Sequence, residues 1–202
     1  MSLVAGQSAQ TDTIESRILD AAYTQVMNVG FRRTTLTDVA ERAGLSRMTV
    51  YRRFPDVASV LQALMWREFA AVLDRARAEL ADAPQPVERI VGIAVRGLEL
   101  LSTHELFLRL LDVDPELLLP YMTQRPGRFQ DAVARELTGQ LKEAIAAGAV
   151  RADDPQRLAR SMLLAMRGYA FAAADGTSRK QRRLALADLE RMLDGLLRPP
   201  AA

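Results

Sequence analysis

The chain has 202 residues, 49% of them apolar and 26% charged, with no cysteine and a formal net charge of +2. Those are globular values, and the length is enough for a sizeable core. They exclude a disordered or fibrous chain, a disulfide framework and a thiolate metal site. Alanine and leucine abound while aromatics and β-branched runs are sparse, so the composition favours helix over sheet. No uncharged run exceeds eleven residues, too few to span a membrane. The opening MSLVAGQSAQTD lacks the basic flank and apolar stretch of a secretory signal, so a cytoplasmic location is expected.

Residues 1–11 read as a tail. A helix is expected from Asp12, which can cap it with Glu15 completing a capping box. Its stripe of Ile14, Ile18, Ala22, Val26 and Val29 ends at Gly30. A short second helix follows, capped by Thr35, with Leu36, Val39, Ala40 and Ala43 facing inward and Gly44 stopping it. Ser46 can cap a third helix, Arg47 to Phe54, and Pro55 and Asp56 end that helix and open the next. From Val57 to about Ala81 nothing breaks the pattern, which at 1.5 Å per residue gives a helix of roughly 36 Å. Past the break Ala83-Pro84-Gln85-Pro86, helical stretches are expected near 87–102, 105–111, 115–122, 127–147, 155–174 and 178–197. The expectation is an all-α chain of about nine or ten helices, with one domain over 12–56 and a helical body over 57–198.

Two short helices three residues apart have the spacing of a helix-turn-helix. Ala40 is small enough for the point where the helices cross, and Gly44 supplies the positive φ of a tight turn. Leu45, Val50 and Phe54 anchor the third helix inward. Arg47, Met48, Thr49, Tyr51, Arg52 and Arg53 are left for its other faces, and these types reach base edges and phosphates in a major groove. Between Gly30 and Phe54 six arginines (32, 33, 42, 47, 52 and 53) face only Asp38 and Glu41, a local +4 in 25 residues that suits a phosphate backbone.

The run TTLTDVAERAGLSRMTVYRRF resembles the signature of the tetracycline-repressor (TetR) family, through Thr35, Ala40, Gly44, Tyr51 and Phe54, as does the preceding Val29-Gly30-Phe31. The match covers roughly residues 13 to 65; the rest is alike only in length and helical layout. The resemblance implies a three-helix, homeodomain-like reader joined to a helical ligand-binding and dimerisation body. It also implies that double-stranded operator DNA is contacted by Thr35, Thr37, Arg47, Met48, Thr49, Tyr51, Arg52 and Arg53. Thr35 and Tyr51 would bind phosphate, while Arg47, Met48 and Thr49 would face bases. The sequence departs from the family twice. Met48 stands where glycine is frequent, which offers an apolar contact to a thymine methyl. Pro55-Asp56-Val57-Ala58 offers no cation where lysine is frequent at the start of the fourth helix, leaving backbone amides there to meet phosphate.

The last two long helices carry apolar stripes: Leu158, Met162, Ala165, Tyr169 and Ala172 on one, and Leu184, Leu186, Leu189, Leu193 and Leu196 on the other. Leu158, Ala165, Tyr169, Leu186, Leu189 and Leu193 are expected at a homodimer interface of two helices per subunit. A dimer would space two readers by one DNA turn, roughly 34–36 Å, over a palindrome. Trp66, Phe69, Phe107, Met122, Phe129, Met162, Met166 and Phe171 can line an adaptable apolar pocket for a small hydrophobic effector. His104 and Arg96 are its candidate polar groups. Ligand entry would shift the fourth helix and with it the reader, acting as a repressor released by its effector.

An all-α enzyme is the rival class. His104-Glu105 opens like a zinc-protease motif, but position 108 is leucine, and with one histidine and no cysteine a zinc site lacks its usual ligands and a histidine triad could be built only on His104. No phosphate-binding glycine motif occurs, and no cofactor is expected. A second alternative is an architectural or recombinase-type helix-turn-helix protein, which needs no effector pocket.

Overall fold

The computed structural model describes residues 9–114, 128–172 and 178–199. Among the described residues every regular element is a helix. They are α1 (Ala9–Val29), α2 (Leu36–Ala43), α3 (Arg47–Arg53), α4 (Val57–Glu79), α5 (Pro86–Leu101), α6 (Glu105–Val113), α7 (Arg128–Ala146), α8 (Pro155–Ala172) and α9 (Arg179–Leu197). The expected helix near 115–122 lies outside the described residues.

Local chemistry sets most of the ends. α1 opens at Ala9, three residues ahead of the expected Asp12, which therefore lies inside the first turn and is not its cap. Gly30 ends α1 at φ +88°, its amide bonded to the Val26 carbonyl at 2.8 Å. Pro86 sits in the first turn of α5, where its missing N–H costs nothing. Ser178 and Gln181 form a complete capping box at the start of α9, which satisfies two amides that the helix itself leaves unpaired.

The chain divides into two compact units. Unit 1 comprises Met1–Ala71 with His104–Pro120, and unit 2 comprises Val72–Thr103 with Tyr121–Ala202. This differs from the expected boundary after residue 56, and α6 is the reason. In unit 1, Leu106, Phe107 and Leu110 of α6 are buried, the Phe107 ring meets Phe69 of α4 edge-to-face at 6.1 Å, and the Tyr23 hydroxyl of α1 donates to Glu105. Arg67 of α4 reaches Asp20 of α1 at 2.6 Å. The reader thus shares one core with the first half of α4 and with α6, around Ile18, Val26, Val39, Val50, Val60 and Leu64. Ile14, expected on that stripe, is exposed.

In unit 2 the core is built by Val87, Ile90, Val91, Ala94 and Leu98 of α5, Leu137, Leu141 and Ala144 of α7, Leu158, Ala159 and Met162 of α8, and Leu186, Leu189, Leu193 and Leu197 of α9. Each such leucine contributes about 1.5–3 kcal/mol by leaving water. The Arg151 amide donates to the Leu197 carbonyl at 2.9 Å and pins the α7–α8 connection to the end of α9.

Candidate nucleic-acid interface

The reader is assembled from caps. Thr35 is extended, accepts the Asp38 amide on its hydroxyl oxygen at 3.2 Å, and donates its hydroxyl proton to the Asp38 carboxylate at 2.7 Å. α2 then closes on Gly44 at φ +62°, a conformation that costs glycine little, and the Leu45 amide returns to the Ala40 carbonyl. Arg17 of α1 donates to the Ala43 carbonyl at 2.7 Å, satisfying a helix-end acceptor that α2 cannot. Ser46 caps α3 by accepting the Thr49 amide, and its hydroxyl lies 2.8 Å from that of Thr49.

Val50 and Phe54 hold α3 down on the core. At 100° per residue, Met48 and Arg52 stand one turn apart on the side facing away from Val50, flanked by Arg47 and Tyr51 on one edge and by Thr49 and Arg53 on the other. Exposure follows that geometry: Met48 is 78% exposed and Tyr51 48%, and Arg47 and Arg52 are exposed with no carboxylate partner among the described residues. An exposed methionine and unpaired arginines on one helical face form a surface that bases and phosphates can satisfy.

Two expected contacts change meaning. Arg53 engages Glu15 of α1, with Nε at 2.8 Å from the carboxylate, so it braces α3 against α1 and has only Nη1 left to offer a phosphate. Thr35 already has both hydroxyl functions engaged by Asp38, so a phosphate contact there requires its proton to turn away. Thr37 is half-buried on the first turn of α2. At the start of α4, where no cation stands, Asp56 accepts the Ser59 amide at 2.8 Å and caps the helix itself.

The residues expected around an effector fall on both units. In unit 1, Phe69 packs edge-to-face on both Phe107 and His104, and Trp66 is half-buried. Glu68 lies 3.6 Å from His104 Nε2; that histidine, with Arg67 on its other side, holds the Glu68 carboxyl below the ordinary carboxylate range against the opposing pull of burial. In unit 2, Met162 is fully buried in the core, Met166 packs against that core, and Phe129 is half-buried. Arg96 is bound to Glu79 and Glu99 at 2.5 Å each, which places it in a surface ion-pair cluster and not in an apolar pocket. Met122 and the Phe171 side chain lie outside the described residues.

The interface residues also need correcting. Leu158, Leu186, Leu189 and Leu193 are buried within unit 2 itself and have no surface to offer a partner, while Ala165 and Tyr169 are half-buried, the Tyr169 hydroxyl donating to the Arg182 carbonyl at 2.9 Å. Among the described residues of α8 and α9 the large exposed apolar side chains are Leu164, Leu184 and Met192, at 56%, 53% and 64%. Sequence reasoning also missed Asp114. It closes α6, is only 2% exposed, and accepts the Phe31 amide at 2.7 Å across 83 residues of chain, so no local pattern could announce it.

Comparison with known proteins fits this geometry. Residues 18–64 match the model described as bacterial regulatory proteins of the tetR family. An uncharacterized HTH-type transcriptional regulator of Mycobacterium bovis is 37% identical over 148 residues, which cover 73% of this chain and 75% of the relative. Among solved structures, a TetR-family transcriptional regulator of Pectobacterium atrosepticum aligns with a TM-score of 0.73 at 24% identity, covering 95% of this chain and 98% of that one. SmeT, the repressor of the Stenotrophomonas maltophilia multidrug efflux pump SmeDEF, aligns at 0.66 and 22%, covering 93% and 91%. The capped α2, the left-handed turn at Gly44 and the exposed α3 are therefore the DNA-binding helix-turn-helix of a transcriptional regulator, and the chain belongs to the TetR family.

Proposed function

We propose that this regulator is a repressor that binds a palindromic operator as a homodimer and leaves it when a small hydrophobic effector binds. The observation that carries the reading is α3 itself, with Met48, Arg47 and Arg52 projecting from the face that the core does not use. Met48 and Arg52 face bases, Met48 through an apolar contact of the kind a thymine methyl takes. Arg47 and Tyr51 lie along one edge, where Arg47 reaches a base and Tyr51 a phosphate. Repression is the role named for the efflux-pump repressor whose fold it shares.

The homodimer is supported by the uncovered apolar side chains of α8 and α9, together with Gly168 and Gly195. A Cβ added at either glycine would meet nothing within 4 Å. A glycine inside a helix costs up to about 1 kcal/mol against alanine, less in the last turn where Gly195 stands, and that cost is offset where a second backbone must come close. Dimerisation through Leu164, Leu184 and Met192 pairs two α3 helices for the half-sites of a palindrome.

For the effector, the candidates that one unit brings together are Trp66, Phe69, His104 and Phe107 of unit 1. A thermal-shift screen against small hydrophobic molecules tests for it. An architectural or recombinase-type protein gives no shift; membership of a family of DNA-binding regulators sets the enzyme aside. α4 runs unbroken from Val57 to Glu79, and its first half packs with the reader inside unit 1, so it is the element that an effector held there would move. Selection from random duplex DNA tests the rest: a palindrome with half-sites about one helical turn apart is expected. Recovery of single, unpaired half-sites would remove the dimer from the account.

A further inference from the structure

The turn between α1 and α2 is fixed at both ends in a way the reader's own helices do not require. Phe31 is buried and its amide, which the end of α1 cannot satisfy, is held by the buried Asp114 carboxylate at 2.7 Å. Thr34 is buried, its hydroxyl donates to the Gly30 carbonyl at 2.8 Å, and its amide to the Phe31 carbonyl at 3.2 Å. Between these two anchors Arg32 and Arg33 are exposed, one residue short of the Thr34–Thr35 entry into α2. Arg33 has no ion-pair partner among the described residues. Asp114, for its part, is a buried carboxylate with no cation beside it among the described residues, a costly group to retain for one amide.

We propose that Arg33 is a DNA-phosphate contact of this regulator and that Asp114 is its positioning residue, holding the turn in the conformation that presents the arginine. The inference rests on the DNA-binding reading of α2 and α3. Such a contact supplies from the α1–α2 turn the positive charge that the start of α4 lacks and that Arg53 has committed to Glu15. In a helix-turn-helix the first helix of the pair crosses the backbone of the duplex, which puts the residues leading into α2 beside phosphate. A pinned turn gives up little freedom on binding, so its arginine loses less to ordering than one on a loose loop. Because Asp114 closes α6, the grip on DNA then depends on where α6 sits within unit 1.

The test uses the full-length protein, a random-sequence 30-base-pair duplex and fluorescence anisotropy over a series of salt concentrations. For wild type the logarithm of affinity falls linearly with the logarithm of salt, and each phosphate contact adds close to one to the slope. Arg33→Ala is expected to lower that slope by about one per subunit. Asp114→Ala is expected to lower it equally with Arg33 still present. The double variant is then no weaker than Asp114→Ala alone, and Asp114→Asn, which keeps an oxygen acceptor, recovers most of the slope. A merely structural Asp114 would change the melting temperature and leave the slope alone, which overturns its positioning role. Should Asp114→Ala not fold, Arg33→Ala and Asp114→Asn still decide: an unchanged slope for Arg33→Ala overturns the proposal. Arg47→Ala and Arg52→Ala separate the two levels. If they lower affinity while Arg33→Ala does not, only the turn's role is lost; if none of the three matters, DNA binding by this surface is lost and the proposal with it.

Discussion

The reader and the paired helices α8 and α9 make opposite use of their apolar residues. In α2 and α3, helices of eight and seven residues, the buried side chains are Leu36, Val39, Ala40, Ala43 and Val50, and what remains exposed is basic, polar or the single Met48. In α8 and α9, of 18 and 19 residues, one apolar set (Leu158, Met162, Leu186, Leu189, Leu193, Leu197) fills the chain's own core while a second (Leu164, Leu184, Met192) stays exposed. A short capped helix has one face to bury and declares the other; a long helix with leucine on several sides does not say which face is spoken for.

Paired substitutions on neighbouring residues break that ambiguity most sharply. Leu193→Ala removes a side chain that is 1% exposed and should destabilise unit 2 by about 2–5 kcal/mol in urea denaturation. Met192→Glu, one residue away, should leave the folding of the separate chain within about 0.5 kcal/mol. Its effect should appear in sedimentation velocity, as a shift from dimer to monomer. A Met192→Glu protein that sediments as wild type would move the interface elsewhere.

Glycines sharpen the same contrast. At Gly30 a side chain would have φ +88° forced on it and a Cβ only 2.9 Å from Val113 Cγ1 and 3.0 Å from Asp114 Oδ2. Gly30→Ala should therefore cost about 2–4 kcal/mol in unit 1, from a strained backbone together with an overpacked contact. Gly195→Ala meets open space and should stabilise the separate chain by up to about 1 kcal/mol through helix propensity, while weakening the dimer. Thermal denaturation at two protein concentrations separates the two effects.

On α3 the comparison is between two arginines. Arg47→Ala should cost about 1–3 kcal/mol of discrimination at one base position. Arg53→Ala should leave the selected sequence unchanged and reduce stability by no more than about 1 kcal/mol, the usual worth of an exposed ion pair. Binding assays on the selected operator and its single-base variants read the difference; a relaxed sequence preference in Arg53→Ala would return that residue to the interface.

What the sequence could announce follows from how far each constraint reaches. Thr35, Gly44 and Ser46 act within three to five residues of themselves, so the caps and the turn are legible in the sequence and leave Arg47, Met48, Thr49, Tyr51, Arg52 and Arg53 for the outer faces of α3. Arg53 carries the same residue type as Arg52, and only Glu15, 38 positions earlier, distinguishes a brace from a free cation. Asp114 reads as the end of a helix, and its partner at Phe31 is 83 positions away. The sequence assigns α6 to the body, since nothing local shows that Leu106, Phe107 and Leu110 pack with the reader. In α9 the sequence places Leu184 in one stripe with Leu186, Leu189 and Leu193, and only the packing of α5 and α8 on the side of Leu186 and Leu189 separates the exposed Leu184 and Met192 from it.

The smallest predicted effect concerns the acid limb of unit 1. Glu68 is held below the ordinary carboxylate value of 4.5 by His104 beside it and by Arg67, with burial opposing. A depressed folded value means the folded state prefers the carboxylate more than the unfolded chain does. The resulting stabilisation is complete above the ordinary value and fades as pH falls through the lower, folded one. Glu68→Gln removes this contribution. The stability difference between wild type and the variant should shrink as pH falls below the ordinary carboxylate range, measured by urea denaturation across an acid series. Among the described residues the partners of Glu68 are Arg67 and His104, both in unit 1, so Met192→Glu, a change confined to unit 2, should leave that acid-dependent difference as it was. A difference that instead grew towards acid would mean that Glu68 is buried as the neutral acid, and that the contact with His104 is not what keeps it charged.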